Sequence, residues 1–156
     1  MSVAFRRESD EEHLEPKFEI PIPPGPNLVT ARGMALINAR IAELQALLPT
    51  LTDEVQVNTA KRDLRYWNTR HATAELVPSP DGKGVAFGVR VSILLKGKAR
   101  TFQIVGDDEA NPAEGLVSFS APLSRAVMGA KVGDLAAFGG DEEAIEITGI
   151  DVPDGD

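Results

Sequence analysis

The stretch TARGMALINARIAELQALLP, residues 30 to 49, decides the fold. Within it Met34, Ile37, Ile41, Leu44 and Leu48 recur at spacings of three and four, the seam of a helix packed against a partner helix. Thr30 is placed to cap the start and Pro49 to end it. A second set, Val57, Ala60, Leu64, Trp67, His71 and Ala74, repeats that spacing until Pro78 and Pro80 close it. Only the short connection PTLTDE lies between them, so the economical arrangement is an antiparallel helical hairpin with facing seams. Arms of roughly 18 to 22 residues at ~1.5 Å per residue give ~27 to 33 Å each. Trp67 at a seam position reads as a core residue rather than a platform for stacking a base. His71 reads as a packed or edge histidine; the other histidine, His13, lies far off, so no pair stands at metal-ligand spacing.

Outward toward the C-terminus the period changes. After Pro80 and the DGKG turn come the short apolar runs VAFGVRVSILL, RTFQIVG, GLVSFS, LAAF and AIEITGIDV, which read as strands parted by glycine turns. One short helical segment, PLSRAVMGA, interrupts them and stops at Gly129. The expectation is an α+β protein: a helical hairpin over residues 28–78, then an antiparallel sheet with one short helix over residues 79–152. Toward the N-terminus, residues 1–27 combine the charge run RRESDEEHLE with Pro16, Pro21, Pro23, Pro24 and Pro26, and read as a disordered arm. Phe18, Ile20 and Ile22 alternate within it, which leaves open an arm that docks its apolar side. Residues 153–156 are an acidic tail.

With 156 residues and 42% hydrophobic content, the chain has material for one cored domain and a smaller attachment. It has no cysteine, which excludes disulfides, thiolate metal sites and a cysteine nucleophile. The N-terminus lacks the apolar run of a secretory signal and no stretch reads as a membrane span, so the expected location is cytoplasmic. A formal net charge of −8 argues against nucleic acid or an anionic membrane as a direct partner of the whole surface. Residues 31 to 75 are near balance, with six Lys/Arg and five Asp/Glu, whereas residues 78 to 156 carry seven against thirteen. The excess acid therefore sits on the sheet domain.

Enzymatic motifs are absent: the sequence has no GxSxG, GxxxxGK[ST], HExxH or GxGxxG. Two acidic clusters, Asp107-Asp108-Glu109 and Asp141-Glu142-Glu143, are the remaining groups of a kind that can hold Mg²⁺ or Ca²⁺; a solvated turn explains the second equally well.

IVGDDEA, residues 104 to 110, and APLSRAVMGAKVGD, residues 121 to 134, closely resemble the C-terminal domain of the GreA/GreB family. AFGVRVSI, residues 86 to 93, matches the strand that opens that domain, and LVTARGMALINARIAEL and KRDLRYW resemble more weakly the family's coiled-coil helices. The resemblance implies an antiparallel coiled coil joined to an FKBP-like domain. It further implies RNA polymerase as partner, with the C-terminal domain on the rim of the secondary channel, the coiled coil entering it, and nucleic acid met only indirectly. Carried onto this sequence, the docking residues are Ser120, Ala121 and Pro122, with Asp107, Asp108 and Glu109 alongside. No cofactor of its own is implied; the polymerase Mg²⁺ enters only if transcript cleavage is stimulated.

Two departures matter. Where the family has Ser-Pro this chain has Ala121-Pro122, and the family's Asp-x-x-Glu-Asn-Ala tip has no counterpart on this shorter hairpin. Asp53 and Glu54 are the tip carboxylates that remain, and acids in a helix's first turn have a sufficient structural reason, the helix dipole. The expected activity is thus regulation by occupying the channel, in competition with other secondary-channel factors, with little or no stimulated cleavage. The alternative is a full cleavage factor using Asp53 and Glu54. A remote alternative is an FKBP-like prolyl isomerase, for which Phe87, Phe102, Phe119 and Phe138 would have to line a pocket instead of the core.

Overall fold

The computed structural model describes residues 19–153, so most of the expected arm, His13, Phe18 and nearly all of the acidic tail lie outside the described residues. The chain forms two compact units: one comprises residues 1–25 and 36–73, the other residues 26–35 and 74–156.

The first unit holds the helical hairpin from residue 36 to residue 73; residues 26–35, which lead into it, and residues 74–76, which leave it, belong to the second unit. Strand β1 (Asn27–Val29) precedes helix α1 (Ala31–Leu47), whose start Thr30 caps by accepting the Gly33 amide on Oγ1 at 2.9 Å. Pro49 has no amide hydrogen to continue the helix, and Leu48–Thr50 tightens into a 3-10 turn. Helix α2 (Glu54–Thr73) then begins under a cap from Asp53, whose Oδ2 accepts the Gln56 amide at 3.1 Å. The 17 and 20 residues of the helices correspond to roughly 26 and 30 Å at the helical rise. Ile37 and Ala60, both seam positions, are buried, and Met34, Ile41, Leu44, Leu48, Val57 and Leu64 are half-buried.

Two expectations change along residues 54–76. Trp67 is half-buried, not core, and set edge-on to Tyr66 with ring centroids 5.0 Å apart, while His71 stands exposed at an edge. Arg70 of the same helix is buried, 2% exposed, with its guanidinium carbon 6.0 Å from the Tyr66 ring centroid. Ala74 is no longer helical: Ala74–Leu76 is strand β2, paired in parallel with β1. A second strand can satisfy the backbone of Asn27–Val29 as a helix continuing past Thr73 could not.

The second unit is built on a sheet of five strands in the order β5-β4-β3-β7-β6, with β3 Arg90–Leu95, β4 Lys98–Val105, β5 Leu116–Ser118, β6 Leu135–Phe138 and β7 Asp141–Asp151. Helix α3 (Pro122–Val127) covers one face. Alternation within the strands puts Val91 and Ile93, Phe102 and Ile104, and Ile145 and Ile147 on that face, where they form the core with Val127. Each such side chain contributes about 1.5–3 kcal/mol relative to exposure.

The sheet is mixed, not antiparallel as expected. β3 pairs antiparallel with β4 and β7, and β6 with β7, but β5 runs parallel to β4, with Gln103 opposite Leu116 and Val105 opposite Ser118. The cause is the connection: residues 106–115 loop out, form a 3-10 turn at Pro112–Glu114 and bring the chain back along the β4 edge in the same direction. The run VAFGVRVSILL is also shorter as a strand than its hydrophobicity suggests. Gly88, at φ 97, breaks it, so that Val85, Phe87 and Val89 enter the core from a turn.

Candidate functional site

The turn after β4 carries the residues of greatest interest, and its members point in two directions. Asp107 faces the β5–α3 loop. Its Oδ1 accepts the Ser118 hydroxyl at 2.5 Å and the Ser120 hydroxyl at 3.0 Å, while the two serine oxygens lie 2.8 Å apart. The Ser120 amide donates to Ser118 Oγ at 3.1 Å. One carboxylate thus fixes both serines, and the loop that presents Ser120, Ala121 and Pro122 has a defined shape. Of the docking residues read from the sequence, Asp107 and Ser120 are therefore brought into contact, with Ala121 and Pro122 following directly. Ala121 is the N-cap residue of α3 and makes no side-chain cap bond, the consequence of alanine where the family has serine. Asp108 is half-buried in the same turn.

Glu109 departs from that picture. The resemblance sets it beside Asp107 and Asp108 as a docking residue, yet its side chain is 4% exposed. Oε1 accepts the Thr30 hydroxyl at 2.7 Å, and Oε2 accepts Arg32 Nε at 2.9 Å. The Thr30 hydroxyl in turn accepts the Gly33 amide, so a relay runs from the first turn of α1 through Thr30 to the carboxylate. A buried carboxylate is tolerable only with such partners.

Two glycines make this clasp possible. A Cβ built on Gly106 would stand 2.2 Å from the Leu28 carbonyl oxygen, and one on Gly33 would stand 3.0 Å from Glu109 Oε1. Gly106 lets the β4 turn lie against the backbone of β1; Gly33 leaves room for the carboxylate. Sequence reading missed this role for Gly33, Thr30, Arg32 and Glu109 because the partners lie 77 and 79 residues apart. The one local signal was Thr-x-x-Gly itself, legible as a cap but not as a cap shared with a distant acid.

At the other end of the hairpin, the Asp53 side chain is engaged in capping α2 and Glu54 lies exposed in its first turn. In the second acidic cluster, Asp141 Oδ1 accepts the Glu143 amide at 3.0 Å, the bond of a turn. Among the described residues no three acidic or histidine side chains converge as a metal site. The four phenylalanines of the sheet domain also find their place: Phe87 and Phe102 are in the core, and Phe119 and Phe138 pack against it. They are taken up by core packing, and the isomerase reading has no support. Ser124, within α3, is fully buried, and its hydroxyl lacks a hydrogen-bond partner among the described residues.

Residues 79–152 match the family described as "Transcription elongation factor, GreA/GreB, C-term". The chain is 48% identical over 58 residues to transcription elongation factor GreA of Baumannia cicadellinicola, covering 36% of each chain. It is 45% identical over 64 residues to GreA of Alkalilimnicola ehrlichii, covering 38% of this chain and 40% of the relative. The matched stretch thus spans less than half the length of these relatives. Among solved structures, the chain is similar to GreA factor homolog 1 of Thermus thermophilus, at 16% identity and a TM-score of 0.38, over 81% of this chain and 99% of that one. It is also similar to the GreA/GreB factor of Nitrosomonas europaea, at 18% identity and a TM-score of 0.39, over 82% and 99%. No helix among the described residues is long and apolar enough to cross a membrane.

Proposed function

We propose that this protein binds RNA polymerase through the loop Ser120-Ala121-Pro122 and acts at the secondary channel by occupying it, with weak or no stimulation of transcript cleavage. The observation that carries this reading is the match of residues 79–152 to the GreA/GreB C-terminal domain, with the Asp107–Ser118–Ser120 network shaping the loop where the family's contacts fall. In this reading Asp107 positions the loop, and Glu109 acts only on the protein's own fold.

The weak-cleavage part rests on the hairpin tip. Metal-assisted hydrolysis requires a carboxylate within roughly 2 Å of the ion, or one water further. Asp53 spends its carboxylate on a helix cap, and no second acid joins Glu54 in the Asp-x-x-Glu pattern. The protein then competes for the channel with other factors that use it, and supplies no metal of its own.

Two assays test the proposal in order. Core RNA polymerase should be retained by the immobilised full chain and released when Ser120→Lys and Pro122→Ala are combined; no retention at moderate salt overturns the reading. A backtracked elongation complex with Mg²⁺ should then show little added cleavage. Fast cleavage by the wild type that is lost in Asp53→Asn/Glu54→Gln, where asparagine preserves the cap, would establish the full cleavage factor instead.

A further inference from the structure

The five-stranded sheet ends in two edges that differ. The β5 edge is closed by its own connection: Asn111 donates its amide to the Leu116 carbonyl at 2.7 Å and accepts the Leu116 amide at 3.1 Å. The β6 edge has no such cover among the described residues. There the Asp134 carbonyl accepts the Ile147 amide at 3.0 Å, and Ala136 stands opposite Ile145. Bonded residues alternate along an antiparallel ladder, so Leu135 and Ala137 turn their amides and carbonyls away from β7. Both side chains are exposed, whereas Ala136 and Phe138 pack against the core.

Sheet edges are commonly guarded by charged side chains or proline. The four residues Leu135–Phe138 include neither. Leu135 is 54% exposed, Val132 before it 59%, and Met128, in the segment that leads from α3 into β6, 42%. Exposed apolar side chains beside unpaired backbone suit a partner strand, whose main chain extends the ladder and whose alternate side chains pack on the apolar ones.

Charge selects among occupants. From Ala130 to Glu146 the chain has one cation, Lys131, against five acids, Asp134, Asp141, Glu142, Glu143 and Glu146, all exposed. None of the five has an ion-pair partner among the described residues. Asp134 precedes β6, Asp141 follows the Gly139-Gly140 turn at its other end, and Glu146 stands opposite Leu135. A second copy pairing along its own β6 would bring these acids together whether the strands ran parallel or antiparallel, and like charges repel. A segment with Lys or Arg at alternate positions meets them with opposite charge.

We propose that the β6 edge receives an extended segment of a protein partner, apolar residues alternating with Lys or Arg, which joins the sheet along Leu135 and Ala137. The inference does not rest on the polymerase reading, which concerns the loop Ser120-Ala121-Pro122. The full chain, isotope-labelled on nitrogen, is titrated with the synthetic peptide acetyl-Lys-Val-Arg-Val-Lys-Val-Arg-amide and with its counterpart carrying Glu at every basic position. The basic peptide should shift the amide signals of Leu135 and Ala137 and slow their hydrogen exchange, while Leu116 and Val117 at the closed edge stay unchanged. Added salt should weaken the effect, and Leu135→Lys, a change at an exposed position, should abolish it. The acidic peptide should leave all these signals in place. No change at Leu135 and Ala137, an equal effect of the acidic peptide, or an effect that survives Leu135→Lys overturns the proposal. Shifts without slowed exchange also overturn it, because they mean contact by charge alone. So does protection of these amides that grows with protein concentration in the absence of peptide, which would make a second copy the occupant.

Discussion

Gly106→Ala tests the contact on which the sheet domain's hold on β1 depends. Gly106 is absent from the positive-φ glycines, so alanine carries no backbone penalty there and even gains about 0.4–1 kcal/mol by restricting the unfolded chain. Against this stands the Cβ, 2.2 Å from the Leu28 carbonyl oxygen and 3.4 Å from its carbon. The obstacle is backbone, so no rotamer change relieves it, and either the β4 turn or β1 must move by nearly an ångström. Moving β1 disturbs its register with β2 and the bond from the Val77 amide to the Val29 carbonyl at 3.0 Å, and it uncovers Val29, now 3% exposed. Overpacking costs about 1–3 kcal/mol, and partial exposure of one valine adds about 1. Net of the unfolded-state gain, destabilisation should be about 2–3 kcal/mol. Urea unfolding followed by circular dichroism measures it, and amide exchange at Val29 and Val77 should accelerate before that of Ile104. An unchanged midpoint with unchanged protection at those amides would show that the turn and β1 do not press on each other.

Glu109→Gln keeps the shape of the clasp and removes its charge. It should cost about 1–3 kcal/mol through the weakened Arg32 and Thr30 bonds, while Asp108→Asn in the same denaturant titration should cost less. Ser124→Ala removes a buried hydroxyl without a partner among the described residues, so it should leave the unfolding midpoint unchanged or raise it by the equivalent of up to ~1 kcal/mol; a loss of that size would mean the hydroxyl is bonded. The hydrogen bond from Arg65 holds the Glu19 carboxyl below the ordinary glutamate range, with smaller coulombic help from Arg65 and Arg62. A carboxyl lowered in the folded state stabilises fully above its unfolded pKa and loses that contribution as pH falls through the folded one. The ion pair should therefore persist at neutral pH and open only in acid; in Arg65→Gln an NMR titration of Glu19 should return to the ordinary range, and an unmoved titration would contradict the pairing.

The sequence by itself determined the two kinds of structure and their order. Spacings of three and four around Ile37 and Ala60 can bury a face only as helix, Pro49 must interrupt that helix, and Asp53 is a capping residue wherever a helix starts after it. Alternation in RVSILL and RTFQIV likewise leaves little choice but strand. The motifs around Gly106 and Pro122 carried the resemblance to the GreA/GreB C-terminal domain, because local chemistry is legible where residues are neighbours in the chain. Tertiary structure alone decided the rest. The parallel course of β5 depends on how a ten-residue connection folds back, the strand Ala74–Leu76 on a partner 47 residues earlier, and the burial of Glu109 on Thr30 and Arg32. A turn acid next to glycine has the same sequence signature whether it faces water or a distant hydroxyl and guanidinium. Its environment is set by the long-range packing of β1 against Gly106, an interaction between segments whose separation no local pattern records.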